Sequence, residues 1–153
     1  MLCANRAKDF FSRLHQTHLK PRGYKKVRQT FSRSIGDYTE RIQFQGSAFN
    51  DASRPCRFYI NFGVEFHELR PRVPCRDFPE THCWTRVEAI VRGAPSQYDL
   101  PEENVAGFAE RISHLLSSAS EAVAVQIRSV RQSYEETKTS RLTMPKPGQA
   151  ARR

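Results

Sequence analysis

The sequence lacks any apolar run that approaches the roughly 20 residues of a membrane-spanning helix. Residues 1–9 are also too polar to form the apolar segment of a signal peptide. We therefore expect a cytoplasmic protein without a membrane partner, whose four cysteines are reduced thiols. Cys56 is in phase with apolar neighbours and is predicted to be a small side chain of the core.

Motifs for catalysis and for metal binding are also missing. The chain has neither a G-x-S-x-G nucleophile elbow nor a P-loop for phosphate. Structural zinc sites pair their ligands at C-x₂₋₄-C spacing, whereas Cys75 and Cys83 are eight residues apart. The adjacent His82 and Cys83 would point to opposite faces of a strand. The sequence therefore predicts no metal, no cofactor and no assignable catalytic residue, and it favours a binding role over an enzyme.

The alternation of apolar with mostly polar side chains over residues 56–66 is the clearest positive signal in the chain. Apolar side chains occupy every second position, which predicts a β-strand with one buried face. The positions between them are polar, apart from Tyr59 and Gly63. A sheet that is solvated on one face is usually antiparallel, because parallel sheets are covered on both faces. This strand therefore predicts an antiparallel sheet with one apolar and one polar face.

The remaining periodicities predict a helix before the sheet and three more strands around it. The helix is expected over residues 5–19, where an apolar stripe recurs at helical spacing, and Pro21 and Gly23 end it. Glu40 interrupts the apolar face of its strand, which suggests a bulge or an edge position there. The four strands are predicted over residues 24–34, 38–46, 56–66 and 81–91.

Apolar residues again recur at helical spacing in the C-terminal part of the chain. Asp99 is the expected N-cap, with Pro101 and Glu102 opening the helix. Its apolar stripe continues to Tyr134, either as one long helix or as two helices that break near residues 117–118. The sequence leaves both possibilities open.

The last seventeen residues differ in composition from the rest of the chain. Residues 137–153 contain five bases, no acid, two prolines and one glycine, which predicts a disordered basic tail. We expect residues 1–136 to form a single domain. The predicted fold class is α+β: an antiparallel sheet of about four strands, with an N-terminal helix and one or two C-terminal helices packed on it.

Short sequence matches spread over roughly residues 8–90 resemble the domain of unknown function 4304 family. The matching segments are Leu19-Lys20-Pro21, Gly23-Tyr24-Lys25-Lys26, Phe31-x-Arg33, Ile42-x-Phe44-Gln45-x-Ser47, Phe58-x-Ile60-Asn61-x-Gly63-Val64 and His82-x-Trp84-x-Arg86-Val87. The resemblance implies a compact α+β domain found mainly in bacteria. It implies no activity and no catalytic residue, because the family has no assigned function.

The polar face of the predicted sheet is the leading candidate for a binding surface. Amides, aromatic rings and arginines are side chains that orient ligands. We expect this face to bind a protein or a small anionic ligand without catalysis, unless the C-terminal helix or a second subunit covers it. The candidate residues are Arg41, Gln43, Gln45, Tyr59, Asn61, Glu65, His82, Trp84 and Arg86.

Positive charge supports a second hypothesis, which is non-specific association with nucleic acid. The protein has a net charge of +9, and residues 20–33 contain six bases and no acid. Such bases can follow phosphates, although lysines on an edge strand also discourage aggregation. A third hypothesis is a small enzyme built around His82, Arg41 and Glu65. The candidate nucleic-acid residues, together with the basic tail, are Lys20, Arg22, Lys25, Lys26, Arg28 and Arg33.

Overall fold

The structure is a computed structural model that describes residues 3–48, 50, 55–67 and 83–143. The chain divides into two units, with the boundary after Ser120. The first unit contains the sheet, the N-terminal helix and the first part of the C-terminal helix, and the second contains the rest of that helix. None of the described helices is long and apolar enough to cross a membrane.

A six-stranded sheet forms the centre of the first unit, and every strand pair in it is antiparallel. The predicted α+β class with an antiparallel sheet is therefore confirmed, with two more strands than expected. The strand order is β1-β2-β3-β4-β5, and β6 also pairs with β4. The strands are β1 (Lys25–Val27), β2 (Thr30–Ile35), β3 (Tyr38–Gly46), β4 (Cys56–Phe66), β5 (Cys83–Arg86) and β6 (Tyr98–Leu100).

The two central strands have the bounds and the phase that alternation predicted. The strand register places Ile42 opposite Phe62 and Phe44 opposite Ile60, so the apolar side chains of β3 and β4 share one face. All four of these side chains are buried. The core therefore lies on one side of the sheet, as the period of two required.

The N-terminal helix α1 (Cys3–Leu14) covers that apolar face. Phe10 and Phe11 are buried, and the Phe11 ring centroid lies 4.7 Å from that of Phe44. The predicted helix over residues 5–19 is present, but it closes with a π-helical turn (His15–Leu19) and a 3₁₀ turn (Lys20–Arg22). Gly23 then adopts φ 86°, a left-handed conformation that glycine tolerates and that ends the helix.

The predicted strand over residues 24–34 is wrong, because this segment is a hairpin of β1 and β2. Val27 pairs with Thr30, and only two residues connect the strands. Arg28 has φ 55° in that turn, a conformation usually given to glycine or asparagine. The sequence offers neither residue at this position, so composition could not reveal the turn.

The predicted strand over residues 81–91 is shorter than expected. It ends at Arg86 and continues as a 3₁₀ turn (Val87–Ala89). Strand β5 pairs with β4 as far as Asn61, while β6 pairs with the same edge over Cys56–Phe58. Because β6 occupies the next part of that edge, β5 has little room to extend. Residues 81 and 82 lie outside the described part of the chain.

The C-terminal helix α2 (Val105–Thr143) is one continuous helix of 39 residues. Its N-cap is Asn104, whose Oδ1 accepts a hydrogen bond from the Gly107 N–H at 3.2 Å. A Cβ atom at Gly107 would lie 2.7 Å from that oxygen, so any larger residue there would displace the capping amide. The predicted N-cap was wrong, because Asp99 belongs to β6.

The pair Ser117 and Ser118 does not break α2. The Ser117 hydroxyl donates to the Ser113 carbonyl at 3.0 Å, and the Ser118 hydroxyl donates to the His114 carbonyl at 3.2 Å. Both side chains therefore bond within the helix instead of competing with it. The helical backbone continues to Thr143, which is seven residues into the predicted tail, and residues 144–153 lie outside the described part of the chain.

The prediction that all cysteines are free thiols is wrong for two of them. Cys3 and Cys56 form a disulfide with their Cα atoms 5.3 Å apart, and it closes a sequence separation of 53 residues. Cys56 is nevertheless only 2% exposed, so its predicted place in the core is confirmed. Alternation locates a side chain on a strand face, but it cannot identify a partner from the distant N-terminus.

Candidate functional site

The polar face of the sheet brings together most of the predicted ligand-binding residues. Strand register places Arg86 directly opposite Asn61 and Trp84 directly opposite Gly63, so β5 has the phase that the prediction required. His82 lies outside the described residues. The residues that share the polar face are Arg41, Gln43 and Gln45 of β3, Tyr59, Asn61 and Glu65 of β4, and Trp84 and Arg86 of β5.

Within the first unit, α2 lies on the apolar face and not on the polar face. The ring centroids of Phe108 and Phe58 are 6.2 Å apart. Near the end of this part of the helix, the Ser120 hydroxyl contacts Glu40, whose side chain is on the same buried face as Ile42. In the part of the first unit that the structure describes, both helices therefore leave the polar face to side chains of the sheet itself.

Three amide side chains form a hydrogen-bonded array at the centre of the polar face. The Asn61 Nδ2 group donates to Gln43 Oε1 at 3.0 Å and to Gln45 Oε1 at 3.2 Å. Asn61 is only 4% exposed. Both glutamine oxygens accept a hydrogen bond from Asn61, so the two glutamine NH₂ groups take no part in these bonds. The donors that the two glutamines can offer to another group are therefore their NH₂ groups.

Arg86 lies beside that array and stacks on an aromatic ring. Its guanidinium carbon is 4.3 Å from the centroid of the Tyr59 ring, which is cation–π geometry. The Nη1 atom is buried and has no hydrogen-bond partner among the residues that the structure describes. Among the described residues, no carboxylate lies within ion-pair distance of this guanidinium. Arg86 is therefore a positioned cation that the described part of the sheet does not neutralise.

Other arginines of the polar face are neutralised by neighbouring carboxylates. Arg41 donates to Glu65 Oε2 from Nη2 at 2.7 Å and from Nε at 3.2 Å. Arg57 donates from Nε to Asp99 Oδ1 at 2.8 Å. The enzyme hypothesis required Arg41 and Glu65 to act on a substrate, whereas the structure shows them bonded to each other across β3 and β4. The contrast with these pairs makes Arg86 the distinctive charge of the face.

Three of the six candidate nucleic-acid residues are hydrogen-bonded within the protein. Arg33 is bonded to Glu40 and Ser120, and Lys26 Nζ donates to Ser12 Oγ at 2.8 Å. Arg22 Nη1 is bonded to a backbone carbonyl of α2 at 3.4 Å. The other three, Lys20, Lys25 and Arg28, are exposed.

A family model for a domain of unknown function, DUF4304, matches residues 15–126, which is more than half of the 153 residues. The chain belongs to the DUF4304 family. The resemblance expected from the sequence is thereby confirmed. Among curated proteins and among solved structures, none matches the chain.

The match to the DUF4304 family covers all six strands and the first part of α2, but it begins after α1. It therefore includes the whole described polar face and leaves the Cys3 end of the disulfide outside. The family description assigns no activity.

A buried carboxylate cluster in this DUF4304 domain was missed by sequence reasoning. Glu40 is 0% exposed, and it is not at a bulge or an edge, because β3 pairs continuously with β2 and with β4 around it. Tyr24 donates to Glu40 Oε2 at 2.7 Å, Ser120 donates to Oε1 at 2.6 Å, and Arg33 Nη2 lies 2.9 Å from Oε2. The only sequence signal was a carboxylate in the buried phase of a strand.

The cluster joins parts of the chain that are far apart in sequence. Glu40 lies in β3, directly opposite Arg33 of β2, while Ser120 lies in α2. The Arg33 guanidinium also lies 4.6 Å from the centroid of the Tyr24 ring. A carboxylate taken out of water requires this many partners, because an unpaired buried charge is strongly destabilising. We therefore interpret the cluster as structural.

The raised pKa values of two buried tyrosines lead us to expect a loss of stability at alkaline pH. Burial, with the nearby carboxylate of Glu40, raises the pKa of Tyr24 above its ordinary range, and burial with Glu88 raises the pKa of Tyr98 to about 12. Above pH of about 10, an unfolded tyrosine loses its proton while these two keep theirs, so stability is full below that pH and falls above it. Urea unfolding at several pH values should show the fall.

Tyr24→Phe is the control for this expectation. Each retained proton contributes a slope of about 1.4 kcal/mol per pH unit. The variant should therefore lose stability less steeply than the natural protein above pH of about 10, although it starts from a lower value because Glu40 loses a donor. Equal slopes in the two proteins would contradict the assignment of a raised pKa to Tyr24.

Proposed function

We propose that this DUF4304 domain is a non-catalytic binding domain, and that the polar face of its sheet binds an anionic group. The group belongs to a small ligand or to an acidic side chain of a protein. Arg86 carries the proposal: it is held against Tyr59, and within the described part of the chain its buried Nη1 donor has no hydrogen-bond partner and no carboxylate neutralises its charge. A buried donor that lacks a partner is costly, and a bound acceptor removes that cost.

The side chains around Arg86 support an oxyanion as the bound group. The NH₂ groups of Gln43 and Gln45 are donors, and so is every nitrogen of the guanidinium. Carboxylates and phosphates only accept hydrogen bonds when they are ionised, and a guanidinium binds them with two parallel bonds. A cationic or purely apolar ligand would leave these donors unpaired. Trp84, which faces the same side of the sheet, adds an aromatic surface beside them.

Removing the charge of Arg86 should weaken the binding of simple anions. The natural protein and Arg86→Gln would be titrated by NMR with inorganic phosphate, acetate and succinate. Hydrogen bonds to charged groups contribute about 1.5–3 kcal/mol, so the affinity for the probe that binds best should fall roughly tenfold or more. The amide signals of Gln43, Gln45 and Asn61 should shift in the natural protein.

Arg128→Gln is the matched control for this experiment. Arg128 is exposed on α2, so its substitution removes the same charge from a different place. If both variants lose affinity equally, the anions respond to net charge and not to the polar face. Saturable shifts that Arg86→Gln leaves unchanged would also contradict the proposal.

Association with nucleic acid remains a second hypothesis, supported by the exposure of Lys20, Lys25 and Arg28. It has weaker support than the polar face, because three of the six candidate bases are bonded within the protein. Binding to labelled DNA or RNA that falls steeply between about 50 and 200 mM salt would favour it. Loss of that binding in Lys25→Glu with Arg28→Glu would assign it to the β1 hairpin, and not to residues 144–153.

The cytoplasmic location and the bacterial origin expected from the sequence remain predictions. The Cys3–Cys56 disulfide bears on the first of them. Stable disulfides are typical of oxidising compartments, whereas those in the cytoplasm are mostly transient and respond to redox conditions. If the protein is cytoplasmic, we expect this bond to respond to redox conditions.

A further inference from the structure

The first turns of α1 are held to the sheet by few non-covalent contacts. No side chain before Phe10 is buried among residues 3–9, whereas Phe10, Phe11 and Leu14 are all buried. The first helical turn contains no acidic residue, and Arg6 places a positive charge near the positive end of the helix dipole. The helix start is therefore weakly stable by itself, while its second half is anchored in the core.

Two attachments fasten this helix start to one place on the sheet. The disulfide joins Cys3 to Cys56, the first residue of β4, and Cys56 pairs with Leu100 of β6. One turn further along α1, Arg6 Nη2 donates to the Pro101 carbonyl at 3.0 Å, and Nη1 lies 3.3 Å from the exposed Glu102 carboxylate. The exposed ion pair contributes little stability, which leaves the disulfide and the Arg6 hydrogen bond to the Pro101 carbonyl as the principal attachments.

We propose that the Cys3–Cys56 disulfide is a redox-controlled latch. When it is reduced, residues 3–9 detach from the end of β6 together with the Arg6 contacts, while Phe10–Leu19 remains packed on the core. The inference does not depend on the anion-binding proposal, because the latch is built from α1 and from the β4–β6 end of the sheet.

The two sulfur atoms differ in their access to a reductant. Cys56 is 2% exposed and Cys3 is partly exposed, so a thiolate reaches the sulfur of Cys3. Attack of a dithiol reductant breaks the S–S bond and forms a mixed disulfide on Cys3, and Cys56 leaves as a thiolate that takes up a proton. The second thiol of the reductant then displaces Cys3, which is also protonated. Two electrons pass to the protein, and the reductant becomes a disulfide.

Hydrogen exchange followed by mass spectrometry tests the latch on the full chain. The protein would be compared without reductant and with dithiothreitol, after non-reducing peptide mapping has located the bond. We expect the amides of residues 6–9 to exchange at least about tenfold faster after reduction. Those of residues 11–19 and of β3 should change less than about twofold. Cys3→Ser should match the reduced protein under both conditions, and Cys75→Ser, which keeps the disulfide, should match the natural protein.

Three results would overturn the proposal. Equal acceleration of residues 6–9 and of β3 would mean that the bond stabilises the whole fold and is no local latch. Unchanged exchange over residues 6–9 would mean that the non-covalent contacts suffice to hold the helix start. Trapping of the mixed disulfide from a monothiol reductant on Cys56 and not on Cys3, located by non-reducing peptide mapping of the natural protein, would contradict the proposed order of attack.

Discussion

Replacing Phe58 with alanine is expected to destabilise the protein by about 4 kcal/mol, as the loss of a large buried side chain leaves a cavity that the core fills only in part. Phe58 is 2% exposed and lies at the centre of a cluster of rings. Its ring centroid is within 6.2 Å of five others, which belong to Phe10, Phe11, Phe44, Tyr98 and Phe108. The measurement is the free energy of unfolding in urea.

The expected loss of stability is large because the Phe58 side chain packs against three elements, which are α1, α2 and β6. Its ring contacts rings of all three, so the movement of one of these elements alone would not close the cavity. Val27→Ala is the control, because Val27 is 69% exposed on β1 and its truncation should change stability by less than about 0.5 kcal/mol. A loss below about 1 kcal/mol for Phe58→Ala would show that the buried face has been assigned incorrectly.

Replacing Glu40 with glutamine is expected to cost about 3 kcal/mol, because the substitution leaves the Arg33 guanidinium without its partner inside the protein. The two side chains have the same shape, so the change removes charge and not volume. The Arg33 side chain is 22% exposed, which places the expected loss at the lower end of the range for a broken buried pair. Urea unfolding at neutral pH measures it.

Glu65→Gln is the matched control for that experiment. Its ion pair with Arg41 has similar geometry, but the two side chains are 28% and 24% exposed, so the loss should stay below about 1 kcal/mol. The variant Arg33→Met in the Glu40→Gln background should cost little more, because the unpaired charge has then been removed. Equal losses for Glu40→Gln and Glu65→Gln would contradict the structural role assigned to the buried cluster.

The sequence predicted the central strands and the two faces of the sheet because both follow from alternation. In β3 and β4, successive side chains alternate between the core and the solvent. This alternation is a property of the strand itself and does not depend on distant contacts. The same phase placed Gln43, Asn61 and Arg86 on one face before their contacts were known. It could not show that Asn61 would bond to both glutamines, or that Arg86 would stack on Tyr59, because those contacts depend on strand register.

The turn at Arg28 and the short strand β6 were not predictable from composition. Arg28 adopts a left-handed backbone conformation, which is usually found at glycine or asparagine. Strand β6 has three residues, which is too short for a periodic pattern, and it pairs with the part of the β4 edge that lies beyond β5. Asp99 consequently pairs with Arg57 and does not cap a helix.

By itself, the sequence determined the fold class, the phase of the two long strands, and the face on which the candidate binding residues lie. These properties depend on local periodicity and on the separation of apolar from polar side chains. The tertiary structure alone decided which distant groups meet: Cys3 with Cys56, and Glu40 with Ser120, which is 80 residues away. Such contacts depend on the closure of long loops and on the order of strands in the sheet, and neither leaves a local pattern in the chain.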